Sequence, residues 1–455
     1  MRNYYFFFLL IFFSFQLHAQ ESAPPNSDSR IFDIVDAVSE ERIEQDIRKL
    51  VSFGTRHTLS DTVSTTRGIG AARRWIKSEF EKISADCGGC LKVSYQFYHV
   101  EGNPKSRIKE DAVVVNVLAT LTGSRYPNRY VIMSGDIDSR VSDPLNATDE
   151  SPGANDNATG MAGVLEAARV LSQYKFPTSV IFVGLSGEEQ GLFGGKHMAQ
   201  VAKDKGWNIV GVLNNDMIGN IEGIDGVIQN NSFRVFSEIR SPQENENRAW
   251  RTRFYGGEVD GLSRQLARYV DRMTDQYIPN LDAMMIYRLD RFGRGGHHRP
   301  FNEQGFPGVR IMETHENYNR QHQDLRTENG IKYGDVIEGV NFPYCAKLTA
   351  VNAIVLAGLA WAPPQPKRVR IGGIVKASTV LSWEEQDDPN ILGYKVYWRL
   401  TTDAQWTHSV FVGNKTRHTL KNIVIDNYFF GVATVGKDGN ESVVSFPQGL
   451  IMRGQ

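Results

Sequence analysis

The sequence predicts an α/β domain with a mostly parallel (mixed) central sheet and helices on both faces, followed by a small all-β sandwich. Two observations carry the α/β part. Between residues 112 and 359, short β-branched runs alternate with stretches of helical periodicity. Those runs are apolar on both faces, as strands covered on both sides by helices must be. A third observation separates the sandwich. After Ala362-Pro363-Pro364-Gln365-Pro366 the pattern changes to short alternating strands with turn signals.

The elements follow in order. Residues 1–20 hold one charge, Arg2, an apolar run from Tyr4 to Leu17 and a small-residue site at Leu17-His18-Ala19. This reads as a secretory signal peptide, and the run is short of the ~20 residues that span a bilayer. The mature chain is therefore expected in the periplasm or outside the cell, with no stable membrane span. Residues 21–30 are polar and Pro/Ser-rich, a flexible lead. Ser39 can cap a helix whose positive end suits Glu40 and Glu41, with Ile43, Ile47, Leu50 and Val51 on one face. Residues 66–83 form a second helix. Strands are expected at 112–121, 130–134, 179–185, 209–213 and 307–312. Helices are expected at 157–174, 190–202, 261–273 and 344–359. In the first of these Met161, Val164, Leu165, Ala168 and Leu171 share a stripe; in the third Leu262, Leu266, Tyr269, Val270 and Met273 do. Beyond the linker at 363–366, strands fall at 379–383, 394–400 and 428–435, with a turn at Asp438-Gly439. The domains are 1–20, 21–362, and 367–455 after the linker.

Composition narrows the partners. Lys and Arg number 51 against 52 Asp and Glu, a formal net charge of −1. No basic run exists, so no nucleic-acid partner is expected. Three cysteines remain, Cys87, Cys90 and Cys345. Cys87-Gly-Gly-Cys90 reads as a small loop disulfide that leaves Cys345 free and buried. A redox motif would need a strand and helix around it, and a metal knuckle would need a second pair.

Several hydrolase signatures are missing. His315-Glu316 does not continue into H-E-x-x-H, Gly184-Leu185-Ser186-Gly187 does not close a G-x-S-x-G, and no P-loop is found. Instead, carboxylates collect at the ends of expected strands. Asp136 and Asp138 follow strand 130–134, Asp156 precedes helix 157–174, Glu188 and Glu189 follow strand 179–185, and Asp216 follows strand 209–213. In an open α/β sheet the ligand crevice lies at the carboxyl ends of the strands. Carboxylates that converge there repel one another and call for cations. Singly, Asp156 could be a helix cap and Glu188-Glu189 a solvated face; together they point to a metal site.

These blocks resemble the secreted co-catalytic di-zinc exopeptidases, which include bacterial leucyl aminopeptidases, glutamate carboxypeptidase-type enzymes and glutaminyl cyclases. The matching text is Ser134-Gly-Asp-Ile-Asp-Ser139, Pro152-Gly-Ala-Asn-Asp-Asn-Ala-Thr-Gly160, Ser186-Gly-Glu-Glu-Gln-Gly-Leu-Phe-Gly194, Asn215-Asp-Met-Ile-Gly219, Gly296-His-His-Arg-Pro-Phe301 and Glu316-Asn-Tyr-Asn-Arg-Gln-His322. The resemblance covers about residues 40–360. It implies two divalent ions, with zinc as the expected metal. Asp156 would bridge them, Asp216 would bind the first, Glu189 and His322 the second, and Glu188 would be the general base. Asp138 would stand behind the ligands, His298 would line the substrate pocket, and the Asp156–Asn157 peptide would be cis. His297 and His315 carry no expected role.

One position departs from the pattern. The family places a histidine ligand where this chain has Asp136. The first site would then hold only oxygens from Asp136, Asp156 and Asp216, which favours harder ions such as Mn²⁺ or Mg²⁺, or weak filling. The second site still suits zinc. The leading functional expectation is a metallo-aminopeptidase with a peptide substrate. The alternatives are a glutaminyl-cyclase-like acyltransferase on the same scaffold and a non-enzymatic peptide-binding ectodomain. Arginines at 288, 291, 294 and 299 and the segment 224–255 are expected around the pocket, the arginines mostly as solvated loop residues. Residues 367–450 resemble a fibronectin type III module through Trp383, the strand at 394–398, Leu420 and the strand at Tyr428. Trp398 and Trp406 are expected to pack within it, with a surface or polysaccharide contact as the alternative.

Overall fold

The computed structural model describes residues 23–240, 242–255 and 257–451. The signal-peptide reading of residues 1–20 lies outside the described residues. The chain opens on helices α1 (Ser29–Ala37), α2 (Glu40–Val51) and α3 (Gly68–Asp86). Ser39 caps α2 as expected, its hydroxyl accepting from the Arg42 N–H at 3.3 Å. The flexible lead expected at 21–30 is corrected at its end. Asp28 caps α1, and Asn440 donates to its Oδ2 at 2.7 Å. The Arg30 guanidinium pairs with Asp438 at 2.7 Å and lies 3.9 Å over the Trp361 ring. Ile31 and Ile34 are fully buried, each worth roughly 1.5–3 kcal/mol of burial, so the segment is pinned.

The central sheet has eight strands: β1 (Leu91–Val100), β2 (Ala112–Leu121), β3 (Tyr126–Asp136), β4 (Thr178–Leu185), β5 (Asn208–Asn215), β6 (Ser232–Ser237), β7 (Asp282–Ile286) and β8 (Gly308–Glu313). Their order is β1-β2-β4-β3-β5-β8-β6-β7. The middle four, β4-β3-β5-β8, are parallel, and antiparallel pairings join β2 to β4 and β8 to β6. The sheet is mixed with a parallel centre, as the buried-type runs predict. Strand β1 has polar residues at every second position and alternating exposure, the mark of an edge strand rather than of the all-apolar runs.

Helices α4 (Gly160–Leu171), α5 (Phe193–Asp204), α6 (Glu246–Tyr255), α7 (Leu262–Tyr277), α8 (His298–Glu303) and α9 (Phe342–Trp361) complete this domain, with the short hairpin β9 (Arg326–Glu328) and β10 (Ile331–Tyr333). Strand alternation sorts the two faces. Val131, Met133, Val180 and Phe182 face a core shared with α1, α2, α4 and α9. Ile132, Ile181, Val183 and Leu185 face Met198 and Ala202 of α5 and Phe301 of α8. Leu348, Val351, Ile354 and Val355 of α9 are fully buried, so its long apolar run serves the core. Cys87 and Cys90 are disulfide-bonded, and Cys345 is free and buried.

After Trp361 the chain forms β11 (Arg370–Gly372), β12 (Thr379–Ser382), β13 (Ile391–Leu400), β14 (His408–Phe411), β15 (Arg417–Leu420), β16 (Tyr428–Gly436) and β17 (Gly449–Leu450). They make a four-stranded sheet, β15-β12-β11-β17, and a three-stranded one, β14-β13-β16. Leu381, Trp383, Tyr394, Val396 and Phe430 fill the space between. Trp398 packs at the edge of this core, and the Trp406 indole donates to Gln265 Oε1 of α7 at 3.1 Å. Both tryptophans therefore pack, as expected.

Candidate metal centre

Strands β3, β4, β5 and β8 are parallel, so their carboxyl ends open on one crevice. β3 ends on Asp136, and Asp138 lies two residues on. β4 runs into Ser186-Gly187-Glu188-Glu189, a tight turn with Gly187 at φ +77°, a conformation glycine adopts without cost. The Asp138 carboxylate collects this turn. Its Oδ1 accepts from the N–H of Gly187 (2.9 Å) and Glu188 (3.2 Å). Its Oδ2 accepts from the N–H of Glu189 and from the Thr58 hydroxyl, both at 3.0 Å. Asp138 thus stands behind the Glu188-Glu189 pair and aims both side chains.

The helix expected to begin at 157 begins at Gly160 instead. Asp156 (φ −108°, ψ 89°) and Asn157 (φ −135°, ψ 43°) leave helical geometry, and the peptide between them is cis. Asp335 clamps this break, accepting from the N–H of Asn155 at 2.8 Å and of Asp156 at 2.7 Å. His322 arrives from the segment after β8 with φ +54°, and Met217 next to Asp216 has φ +62°. Non-glycine residues held in that region concentrate at functional sites.

Three of the six expected ligand and base residues converge. His322 Nε2 lies 2.8 Å from Asp156 Oδ2 and 2.9 Å from Glu189 Oε1. One donor atom from each residue falls within 4.8 Å of the other two. One imidazole and two carboxylates are a donor set that suits zinc. Burial opposes a charge on His322, while Glu189 and Asp156 raise its proton affinity, so the Nε2 proton is held between the two carboxylates and Nδ1 accepts from Arg140. Burial likewise opposes the Asp156 and Glu189 charges, and His322 draws both carboxyls below their ordinary values. Zinc at this point would take the place of that shared proton. Arg140 supports the outer side, its Nε donating to Glu189 Oε2 at 2.7 Å and its Nη2 lying 2.7 Å from His322 Nδ1. Glu188 is next to this triad. Burial, and then the charges of Glu189, Asp216, Asp136 and Asp138, push its carboxyl well above the ordinary glutamate value.

Asp136 and Asp216 have other partners. Asp136 Oδ1 shares a hydrogen bond with His297 Nδ1 at 2.5 Å, and Asn157 Nδ2 donates to Oδ2 at 2.8 Å. Asp216 Oδ2 pairs with Arg310 Nη2 at 2.8 Å, and the same nitrogen donates to the Asp216 carbonyl at 3.1 Å. Burial and the charges of Asp156 and Asp136 push the Asp216 carboxyl up to about 8, with Arg310 pulling the other way. His298 is fully buried. Its Nε2 hydrogen-bonds the Leu289 carbonyl at 2.8 Å, which ties the ring to the 289–291 loop, and its Nδ1 is buried without a hydrogen-bond partner. Arg291 in that loop is not a solvated arginine; it pairs with Glu316 at 2.7 Å, as does Arg234 at 3.0 Å. Arg288 is exposed, and Arg294 and Arg299 are half-buried.

Arg140, His297, Arg310 and Asp335 were not expected here. Arg310 alone had a sequence signal: a charge inside the apolar run Val309-Arg310-Ile311 asks for a buried partner.

Comparison with known proteins gives the family. The model of "Peptidase family M28" matches residues 116–337. A "Probable zinc metalloprotease" of Pyrenophora teres f. teres is 41% identical over 430 residues, covering 94% of this chain and 88% of the relative. Another, of Leptosphaeria maculans, is 40% identical over 424 residues, covering 93% and 98%. Among solved structures, the LapA aminopeptidase of Legionella pneumophila aligns with a TM-score of 0.54 at 17% identity, over 79% of this chain and 81% of that one. The aminopeptidase from Aneurinibacillus sp. strain AM-1 gives 0.52 at 13%, over 73% and 96%. The glutaminyl cyclase of Macrostomum lignano gives 0.51 at 15%, over 74% and 93%. At these identities the structural likeness establishes the fold.

Proposed function

The chain belongs to peptidase family M28 and is a zinc metallopeptidase, and from that premise we propose that it is an aminopeptidase that removes N-terminal residues from peptides outside the cytoplasm. The observation that carries the reading is the convergence of Asp156, Glu189 and His322 beside Glu188. Those three residues would hold the zinc, and Arg140, Asp138 and Asp335 would keep them in place. Bound zinc supplies a Lewis acid that polarises a carbonyl and acidifies water. Glu188 takes the proton of the attacking water and hands it to the leaving amine. Its raised proton affinity serves the second half of that task. Asp138 fixes Glu188 by holding its backbone, so the carboxylate meets the scissile bond from one direction.

The choice of peptide end rests on charge. Six carboxyl groups, Asp136, Asp138, Asp156, Glu188, Glu189 and Asp216, gather in the crevice, with Arg140 paired to Glu189 and Arg310 to Asp216. A crevice with this balance favours a cationic free amine over an anionic carboxylate terminus. The aminopeptidase neighbours fit the same choice. The signal-like residues 1–20 and the Cys87–Cys90 disulfide support an oxidising, exported setting. In this reading the module from β11 to β17 is fibronectin type III-like and braces α7 through Trp406 and Gln405.

The test is release from a panel of aminoacyl anilides by the zinc-loaded chain, set against the same substrates with the amine acetylated. Release from free-amine substrates only, stopped by chelation and by Glu188→Gln, is the expected result. Equal cleavage of blocked substrates refutes the aminopeptidase reading. Loss of ammonia from an N-terminal Gln peptide without shortening points to the cyclase alternative.

A further inference from the structure

We infer that the metal centre of this chain is mononuclear, and that the guanidinium of Arg310 occupies the place where a second ion of a two-metal centre would be needed. The inference rests on the zinc reading of Asp156, Glu189 and His322.

The two halves of the acidic crevice differ in one physical respect. Around His322, one donor atom from each of three residues points at a common centre, and Arg140 touches only the outer atoms, Glu189 Oε2 and His322 Nδ1. Among the described residues no second group of three ligand atoms converges in this way. Around Asp216 one carboxyl oxygen and the backbone carbonyl are already engaged by a guanidinium. Arg310 gives Nη2 to Asp216 Oδ2 at 2.8 Å and to the Asp216 carbonyl at 3.1 Å. Its Nη1 is held by both oxygens of Asp290 at 3.2 Å and by the Gly295 carbonyl at 2.6 Å. The side chain is fully buried. It rises from β8, where Arg310 lies opposite Asn214 of β5 on one side and Phe236 of β6 on the other. An arginine cannot discard its charge, and this one is held by Asp216, Asp290 and Gly295 together.

Asp136 is closed by separate means. His297 Nδ1 takes one of its oxygens and Asn157 Nδ2 the other. An ion bridging Asp136, Asp156 and Asp216 would have to break the His297 and Asn157 contacts and sit beside a fixed cation. The aspartate that replaces the family's histidine is thus not a harder first-site ligand. It is one member of a buried Asp136–His297 pair. In this chain Arg310 supplies fixed positive charge where a two-metal enzyme would use a second ion, and Asp216 and Asp136 are positioning residues.

The experiment counts metal. The full chain, stripped with chelator, is dialysed against excess zinc, and zinc per chain is measured by elemental analysis and native mass spectrometry. One ion is expected. His322→Ala should bind none, because no other site remains. Asp136→His restores the family ligand but leaves Arg310 in place, and should still bind one. The cobalt(II)-loaded chain should give the paramagnetic spectrum of an isolated ion, with no spin coupling. Two zinc ions in the native chain, a retained ion in His322→Ala, or a second ion gained by Asp136→His would each overturn the inference while leaving the zinc-peptidase reading intact. No zinc in the native chain would overturn that reading, and the inference with it.

Discussion

Replacing Asp138 with asparagine tests whether a residue that touches neither zinc nor substrate sets the geometry of both. Asp138 accepts four hydrogen bonds, from the N–H groups of Gly187, Glu188 and Glu189 and from the Thr58 hydroxyl. Asparagine keeps one accepting oxygen. The least costly orientation turns the amide NH₂ toward Thr58, whose hydroxyl can rotate to accept. The oxygen then still serves Gly187 and Glu188. The Glu189 N–H is left facing another donor. A buried donor without a partner costs about 1–3 kcal/mol, and here it belongs to a residue of the converging triad. Loss of such outer support typically lowers metal affinity about 10–100-fold, equivalent to about 1.4–2.8 kcal/mol. The two estimates agree, so zinc affinity should fall by one to two orders of magnitude. Turnover at saturating zinc should fall by less, since the Glu188 N–H keeps its acceptor. Competition with a chromogenic chelator gives the affinity, and anilide release at saturating zinc gives the rate. Zinc affinity within twofold of the native chain would refute the argument that Asp138 organises the turn.

Three further outcomes follow from the same contacts. Glu188→Gln should retain one zinc per chain while turnover falls about 10²–10⁴-fold; loss of the metal instead would make Glu188 a ligand. Glu313, buried and accepting from Asn155 and the Asn220 N–H, has its carboxyl pushed up to about 8 by burial. Its folded proton affinity exceeds the unfolded one, so its contribution is complete below about pH 4.5 and is lost as pH rises through about 8, on the order of 5 kcal/mol. Glu313→Gln should remove that part of the pH dependence in urea unfolding between pH 5 and 9; an unchanged profile would count against it. Replacing Cys87 and Cys90 by serine opens a very short loop, so the loop-entropy model gives a loss of about 2 kcal/mol, with zinc content unchanged; loss of zinc would tie that turn to the metal centre.

Much of this architecture could be read in the sequence because the deciding signals are local. Strands β3, β4 and β5 announce themselves by short apolar runs, and the acids at their ends stand within a few residues of those runs. Ser39 is followed directly by the helix it caps. The expectations that failed depended on partners far away in the chain. Residues 21–30 looked free because Asp28 meets Asn440 and Arg30 meets Asp438, contacts that no local pattern encodes. The helix at 157–174 lost its first turn to Asp335, which pulls the Asn155 and Asp156 amides out of helical geometry. Segment 224–255, read only as pocket wall, holds β6 and α6. What the motif could not show for His298 is its tie to the 289–291 loop through the Leu289 carbonyl.

Asp136 shows how distant partners alter the setting of a motif residue. Judged as an isolated substitution, an aspartate in place of a histidine adds a negative charge to a metal site and should alter the choice of ion. The fold adds two facts. His297 lies against that aspartate, so an imidazole and a carboxylate are paired there, from positions 161 residues apart. Arg310, placed by the register of β8 against β5, meets Asp216 across 94 residues. A charge count over the motif includes only carboxylates, whereas a count over the crevice includes the cations that other strands and loops bring. Among the described residues, the Asp156, Glu189 and His322 centre is the one group whose inner ligand atoms converge, with Arg140 on their outer side and Arg310 on Asp216. For this chain, the metal count of the stripped and zinc-reloaded protein is the measurement that decides between a count over the motif and a count over the crevice.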